Sequence, residues 1–157
     1  MATEIERKFL VSGDFKKEAF VATHIKQGYL NTSPERTVRI RISGNRAKLA
    51  VKSRGEGISH FEWEKEITVR EAESLLAIAE PGVIDKTRYL IANTDGIHTW
   101  EVDEFYDCNE GLTIAEIELS AEDEEFDRPS WLGREVTEDP RYFNSSLSKN
   151  PFCTWKQ

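Results

Sequence analysis

A period-two alternation runs along this chain, and its charged partners keep one sign. It appears in Glu4-x-Glu6, Arg39-x-Arg41, Glu62-x-Glu64-x-Glu66, Lys86-x-Arg88, Glu101-x-Asp103 and Glu116-x-Glu118. Successive residues of a β-strand point to opposite faces, so i and i+2 share a face. Each of these segments therefore puts its charges on one side. Ile5 and Phe9, Val38 and Ile40, Trp63 and Ile67, Trp100 and Val102, and Ala115 and Ile117 fall on the other. In the Lys86 segment the contrast is weaker, resting on Thr87 and Ile91.

The same pattern predicts eight strands, at 4–10, 25–30, 37–42, 47–52, 61–68, 86–91, 99–105 and 113–119. Ser43-Gly44-Asn45 and Asn109-Glu110-Gly111 read as hairpin turns. Three helices are expected. One runs over 15–22 behind Asp14, one over 68–79 capped by Thr68 and stopped by Pro81-Gly82, and one opens at Asp139-Pro140 and runs to Lys149. The fold class is mainly β (α+β), an antiparallel sheet of eight strands, a number that can close into a barrel.

A sheet with one face in water normally mixes both signs with Ser, Thr and Gln along that face. Like charges stacked on one face repel, so they suit a common ligand better than a solvated surface. The apolar faces also need cover, which three helices packed outside can supply. The charged faces then line the interior of a barrel, and a small barrel can enclose only one small ligand.

Composition bounds the class of protein. At 157 residues, with 38% hydrophobic, the chain is one continuous domain (1–157) with too much apolar content for disorder. No segment approaches the roughly 20 apolar residues of a membrane span, and Met1–Val11 has no signal-peptide core. Cys108 and Cys153 make no disulfide framework. The expected location is the cytoplasm. The net charge of −8 excludes a generic nucleic-acid surface, so neither nucleic acid nor membrane is an expected partner.

Acidity does not exclude a polyanion once the charges are sorted by face. The motif positions hold seven cations (Lys8, Arg39, Arg41, Lys52, Lys86, Arg88, Arg134) and eight anions, leaving most of the negative charge elsewhere. Carboxylates without Cys ligands suit hard divalent cations, Mg²⁺ or Mn²⁺. Arg and Lys arrays bind phosphate through charge-assisted hydrogen bonds. Together they describe a metal–polyphosphate site. His24, His60 and His98 have no ligand spacing and read as structural or solvated. Trp63 and Trp100 are expected in the core, Trp131 and Trp155 against the C-terminal helix, and the acidic run Glu122–Asp127 in solvent.

The ordered series resembles the CYTH superfamily of triphosphate tunnel metalloenzymes, and within it the short bacterial inorganic triphosphatases. The series begins with Glu4-Ile5-Glu6-Arg7-Lys8. It continues through Gln27-Gly28-Tyr29-Leu30, Val38-Arg39-Ile40-Arg41, Leu49-Ala50-Val51-Lys52 and Phe61-Glu62-Trp63-Glu64. It closes with Lys86-Thr87-Arg88-Tyr89, Trp100-Glu101-Val102-Asp103, Ala115-Glu116-Ile117-Glu118 and Gly133-Arg134-Glu135-Val136. The resemblance implies an eight-stranded tunnel that hydrolyses or rearranges a triphosphate with Mg²⁺ or Mn²⁺. It assigns metal binding to Glu4, Glu6, Glu116 and Glu118, and phosphate binding to Lys8, Arg39, Arg41, Lys52, Lys86, Arg88 and, at a late basic position, Arg134. Lys8 and Tyr29 resemble a catalytic Lys–Tyr dyad. Glu62, Glu64 and Asp103 resemble supporting lumen carboxylates. Ala50 stands where the family often has Thr, and His60 where Arg often precedes the Glu-x-Glu.

The expected activity is metal-dependent hydrolysis of inorganic triphosphate to phosphate and pyrophosphate, by a monomer or homodimer acting on a small molecule. The alternatives are a nucleoside or thiamine triphosphatase, an adenylate cyclase on the same scaffold, and a non-enzymatic polyphosphate-binding module.

Overall fold

The computed structural model describes residues 5–33, 35–54 and 60–155, apart from the side chains of Arg54, His60 and Ser145. The strands are β1 (Ile5–Val11), β2 (Val21–Asn31), β3 (Thr37–Ser43), β4 (Arg46–Arg54), β5 (His60–Ile67), β6 (Ile84–Ala92), β7 (Thr99–Phe105), β8 (Thr113–Leu119) and β9 (Leu132–Glu135). The helices are α1 (Val69–Leu76) and α2 (Asn144–Lys149), with short 3₁₀ turns between elements. The strands form one antiparallel sheet in the order β5-β4-β3-β2-β6-β7-β8-β1-β9.

This is the expected mainly β tunnel architecture with one strand more than the alternation showed. β9 has only four residues and occupies the free edge of β1. Among the described residues no ladder therefore joins β1 to β5, and the wall is not sealed by hydrogen bonds. The segment expected to be helical over 15–22 is instead a single 3₁₀ turn at Lys16–Glu18 followed by β2. The reason is tertiary. Phe15 is buried against Tyr89 and Trp131, and Phe20 N donates to Leu90 O at 3.0 Å, so ladder bonds replace a helix too short to persist alone.

Register keeps the alternating charges on one face, here termed the inner face. Lys8 lies opposite Glu116 and Glu6 opposite Glu118. Glu116 lies opposite Glu101, Asp103 opposite Arg88, Tyr29 opposite Arg39, and Lys52 opposite Glu62. The outer face carries two apolar clusters. One gathers Phe9, Phe15, Trp100, Val102, Ile117 and Trp131. The other seats α1, with Ala72 and Leu76 against Ile40, Ile42 and Ala47. Thr68 begins α1 with a full capping box, accepting from Glu71 N while its own N donates to the Glu71 carboxylate. Packing over Gly28 of β2 is tight: a Cβ there would lie 3.0 Å from the side chains of Leu76, on α1, and Val83.

α2 behaves differently from α1. The Asp139-Pro140 start is kept, with Asp139 capping a 3₁₀ turn at Pro140–Tyr142, and the chain then re-enters helix at Asn144. Tyr142 and Leu147 pack with Ile84, Phe105 and Ile114, which share the parity of the charged residues. α2 thus reaches the inner face and floors it with an apolar plug. Two tryptophans also differ from expectation. Trp63 is exposed because β5 is an edge strand, and Trp131 joins the outer aromatic cluster away from α2. Trp100 is fully buried, and Trp155 stacks on Tyr142 and Phe152 as expected.

Candidate active site

Strand order sorts the inner-face charges. Basic side chains come from β4 (Lys48, Lys52), β3 (Arg39, Arg41) and β6 (Lys86, Arg88), near the middle of the sheet. Acidic side chains flank them: Glu62, Glu64 and Glu66 on β5 to one side, and Glu101, Asp103, Glu116, Glu118 and Glu6 on β7, β8 and β1 to the other.

The basic group is crowded. Arg41 is pushed down to about 10 by burial and by the neighbouring charges of Arg39 and Arg88, and so remains a cation at neutral pH. Its Nε donates to Gln27 Oε1 at 2.8 Å. Arg39 Nε is a buried donor with no protein partner among the described residues, which marks a place for an acceptor supplied from outside. Ala50 lies opposite Arg39 and offers only a methyl group.

Asp103 organises the β6 cations. Its carboxylate accepts from Lys86 Nζ at 2.9 Å and from Arg88 Nε and an Arg88 terminal nitrogen at 2.8 and 3.0 Å. Burial works against its charge, but the Arg88 and Lys86 bonds outweigh it and hold the carboxyl below its ordinary range. Arg88, also bridged to Glu101 at 2.9 Å, is held above its usual value by the same contacts despite burial. Burial lowers Lys86 in spite of Asp103. Lys86 Nζ also reaches Asn144 Oδ1 of α2 at 3.2 Å.

The acidic flank is crowded in the opposite sense. Burial raises Glu6 most, followed by the charge of Glu116, with a carboxyl–carboxyl hydrogen bond to Glu116 and the charge of Glu101 adding to it and Lys8 opposing it. Lys8 Nζ pairs with Glu116 Oε1 at 2.7 Å and lies 5.4 Å from the Phe143 ring centre. Glu4 lies outside the described residues. Among the described residues no three His, Cys, Asp or Glu side chains converge as a finished metal cage. The chemistry of the set nevertheless fits a hard divalent cation: Glu6, Glu116, Glu118 and Glu101 offer only oxygen, and the Glu6–Glu116 repulsion is what a cation relieves.

The other predicted residues fall as follows. Glu62 pairs with Lys52, and Glu64 with Lys48, each at 3.7 Å on the exposed edge of the sheet, where such pairs contribute little to stability. Arg134 is exposed on β9 and alternates against Glu135, which pairs with Arg7 at 2.6 Å. Lys8 stands by Phe143 at the start of α2, whereas Tyr29 lines a small cavity with Thr32, Thr37, Ser148 and Lys149 at its end. The acidic run is largely exposed, but Glu124 reaches back to His98. Sequence reasoning missed Gln27, although its parity with Tyr29 places it on the inner face. It also missed Lys48, whose parity with Lys52 was visible. Phe143 and Asn144 gave no signal, because they reach the site through the docking of α2.

An inorganic triphosphatase of Acetivibrio thermocellus is 48% identical over 158 aligned residues, covering all of both chains. One of Nitrosomonas europaea is 39% identical over 149, covering 93% of this chain and 97% of that one. A crystal structure of an inorganic triphosphatase superposes with a TM-score of 0.81 at 37% identity, over 94% of this chain and 95% of that one. The CYTH domain model matches residues 2–151. The chain belongs to the CYTH domain family.

Proposed function

We propose that this chain is a metal-dependent inorganic triphosphatase, cleaving triphosphate to phosphate and pyrophosphate with Mg²⁺ or Mn²⁺. One observation carries the reading: the inner face holds two crowded groups of opposite sign, the Arg39–Arg41–Arg88 cations and the Glu6–Glu116–Glu101 carboxylates. A polyanion relieves the first and a divalent cation the second, and a metal–triphosphate complex relieves both. The relatives named as inorganic triphosphatases over their full length support the same substrate.

In this reading Glu6, Glu116 and Glu118, with Glu4, hold the metal. A divalent ion held by these carboxylates would supply Lewis-acid neutralisation of phosphate oxygens and acidify water. Arg39, Arg41, Lys52, Lys86 and Arg88 grip the remaining oxygens by charge-assisted hydrogen bonds and stabilise charge building on the leaving group. Arg39 Nε is the unused donor for this task. Asp103 is a positioning residue that fixes the Lys86 and Arg88 head groups. Glu62 and Glu64 orient the β4 lysines. Lys8, beside Glu116, is the catalytic cation at the metal end, and Arg134 contributes charge at the rim. Tyr29 acts from the far end of α2, in the small cavity it shares with Ser148 and Lys149.

The test is phosphate release from triphosphate, ATP, thiamine triphosphate and pyrophosphate, with and without Mg²⁺ or Mn²⁺. The expected result is metal-dependent release that is fastest from triphosphate. Faster turnover of ATP or thiamine triphosphate, or cyclic AMP from ATP, selects the other enzymes. Tight triphosphate binding without release from any substrate identifies a binding module.

A further inference from the structure

Cys108 and Cys153 are the only cysteines in the chain, and the fold brings them together. Cys108 sits on the 3₁₀ turn Asp107–Asn109 between β7 and β8, and Cys153 on the turn Phe152–Thr154 that follows α2. Phe152 N donates to Asn109 Oδ1 at 2.8 Å, so a hydrogen bond one residue from each cysteine fixes the approach of the two turns. Phe152 also packs by Gly111, its ring atom 3.6 Å from the position of an added Cβ. Both cysteines are exposed and reduced. The neighbouring Cys153 thiol lifts Cys108 above its ordinary value.

We propose that Cys108 and Cys153 form a reversible intramolecular disulfide that fastens the segment after α2 to the β7–β8 hairpin. The oxidant class is a small-molecule disulfide such as oxidised glutathione. The thiolate of one cysteine attacks it, forming a mixed disulfide and releasing one small thiol. The neighbouring cysteine then displaces the second small thiol and closes the protein bond. The two cysteine protons pass to the two released thiolates, and two electrons move from the cysteine pair to the small disulfide. No other reactant is needed.

The bond has a mechanical consequence because its segment anchors α2. Trp155 stacks edge-on with Tyr142 and Phe152, with centroids 5.1 Å apart in each pair, and its indole donates to Asn150 O at 2.9 Å. Tyr142 and Leu147 then hold the inner-face plug. A cross-link closing a loop of about 45 residues restricts the unfolded chain, and the thermal midpoint is expected to rise by about 5 °C or more.

The test treats the full-length protein with oxidised glutathione. Peptide mapping follows without reduction, alongside thermal unfolding with and without dithiothreitol. The expected result is one cross-linked peptide pair joining Cys108 and Cys153, a raised midpoint that dithiothreitol reverses, and stable glutathione adducts instead in Cys108→Ser and Cys153→Ser. Glutathione adducts alone on the unmutated protein, cross-links between molecules, or no reaction overturn the proposal. A cross-link with an unchanged midpoint overturns the fastening.

Discussion

Lys86 Nζ lies 2.9 Å from Asp103 Oδ2, and the lysine side chain is fully shielded from solvent. The same carboxylate holds Arg88. Asp103→Asn therefore removes the countercharge of two cations at once. Breaking a buried pair on one side leaves an uncompensated charge, and the expected loss is about 3 kcal/mol or more in urea unfolding. Turnover on triphosphate should fall with it, because both head groups lose their anchor.

Lys8 and Arg39 approach the inner face from opposite parts of the sheet, one beside Glu116 and the other with a free buried donor. If both stabilise charge in the transition state, Lys8→Ala and Arg39→Ala each lower kcat by roughly 10². Unchanged rates in steady-state phosphate release from either variant would mean that the inner face is misassigned.

His98 gives a pH signature of its own, although it lines a cavity with Glu6, Glu101, Glu116 and Glu118. Its Nδ1 lies 2.7 Å from Asp95 Oδ2 and its Nε2 bonds Glu124, clasping the β6–β7 turn to the β8–β9 loop. The groups facing the ring are Asp95 and Glu124, with Phe126 packed edge-on. Bonds to Asp95 and then Glu124 raise the imidazole above 6.5, so its contribution is full below that pH and is lost as pH rises through the raised value. Glu124 is lowered to about 2 by Ser120 and His98. Its contribution is present above its ordinary range and lost on acidification toward that value. The clasp is therefore strongest between about pH 4.5 and 6.5. His98→Asn should lower the thermal midpoint most near pH 6 and progressively less toward pH 9.

Gly82 carries the approach of α2. Its φ is +102°, and a Cβ there would meet Ser148 O at 1.8 Å. Gly82→Ala must displace α2 or the β6 entry, and should cost about 2 kcal/mol or more in denaturant unfolding. A neutral effect would show that α2 docks more loosely than its contacts indicate.

The strands were legible because half-buried strands must alternate. Thr99–Phe105 and Thr113–Leu119 match their predicted bounds, and Thr68 caps α1 as its capping-box spacing requires. Parity alone put Lys8, Arg39, Lys86, Asp103 and Glu116 on the charged faces of their strands. Strand order was not legible. Nothing local says that β6 pairs with β2, yet that pairing places Arg88 close enough to repel Arg41. β9 escaped because four residues are too few to show a period, and the 15–22 segment misled because its apolar spacing suits a helix until Phe20 and Val21 find β6. Phe143 and Asn144 enter the site only through the packing of Tyr142 and Leu147, a tertiary fact with no local signature.

In the proposed function the acidic flank and the basic centre serve one metal-bound triphosphate. This is tested most directly by phosphate release from triphosphate in Glu116→Gln against the unmutated protein, across a Mg²⁺ or Mn²⁺ titration, with the thermal midpoint as a folding control. The expected outcome is metal-dependent release by the unmutated protein and a loss of roughly 10² or more in Glu116→Gln, with folding retained. Equal rates and equal metal requirements in the two proteins would contradict it.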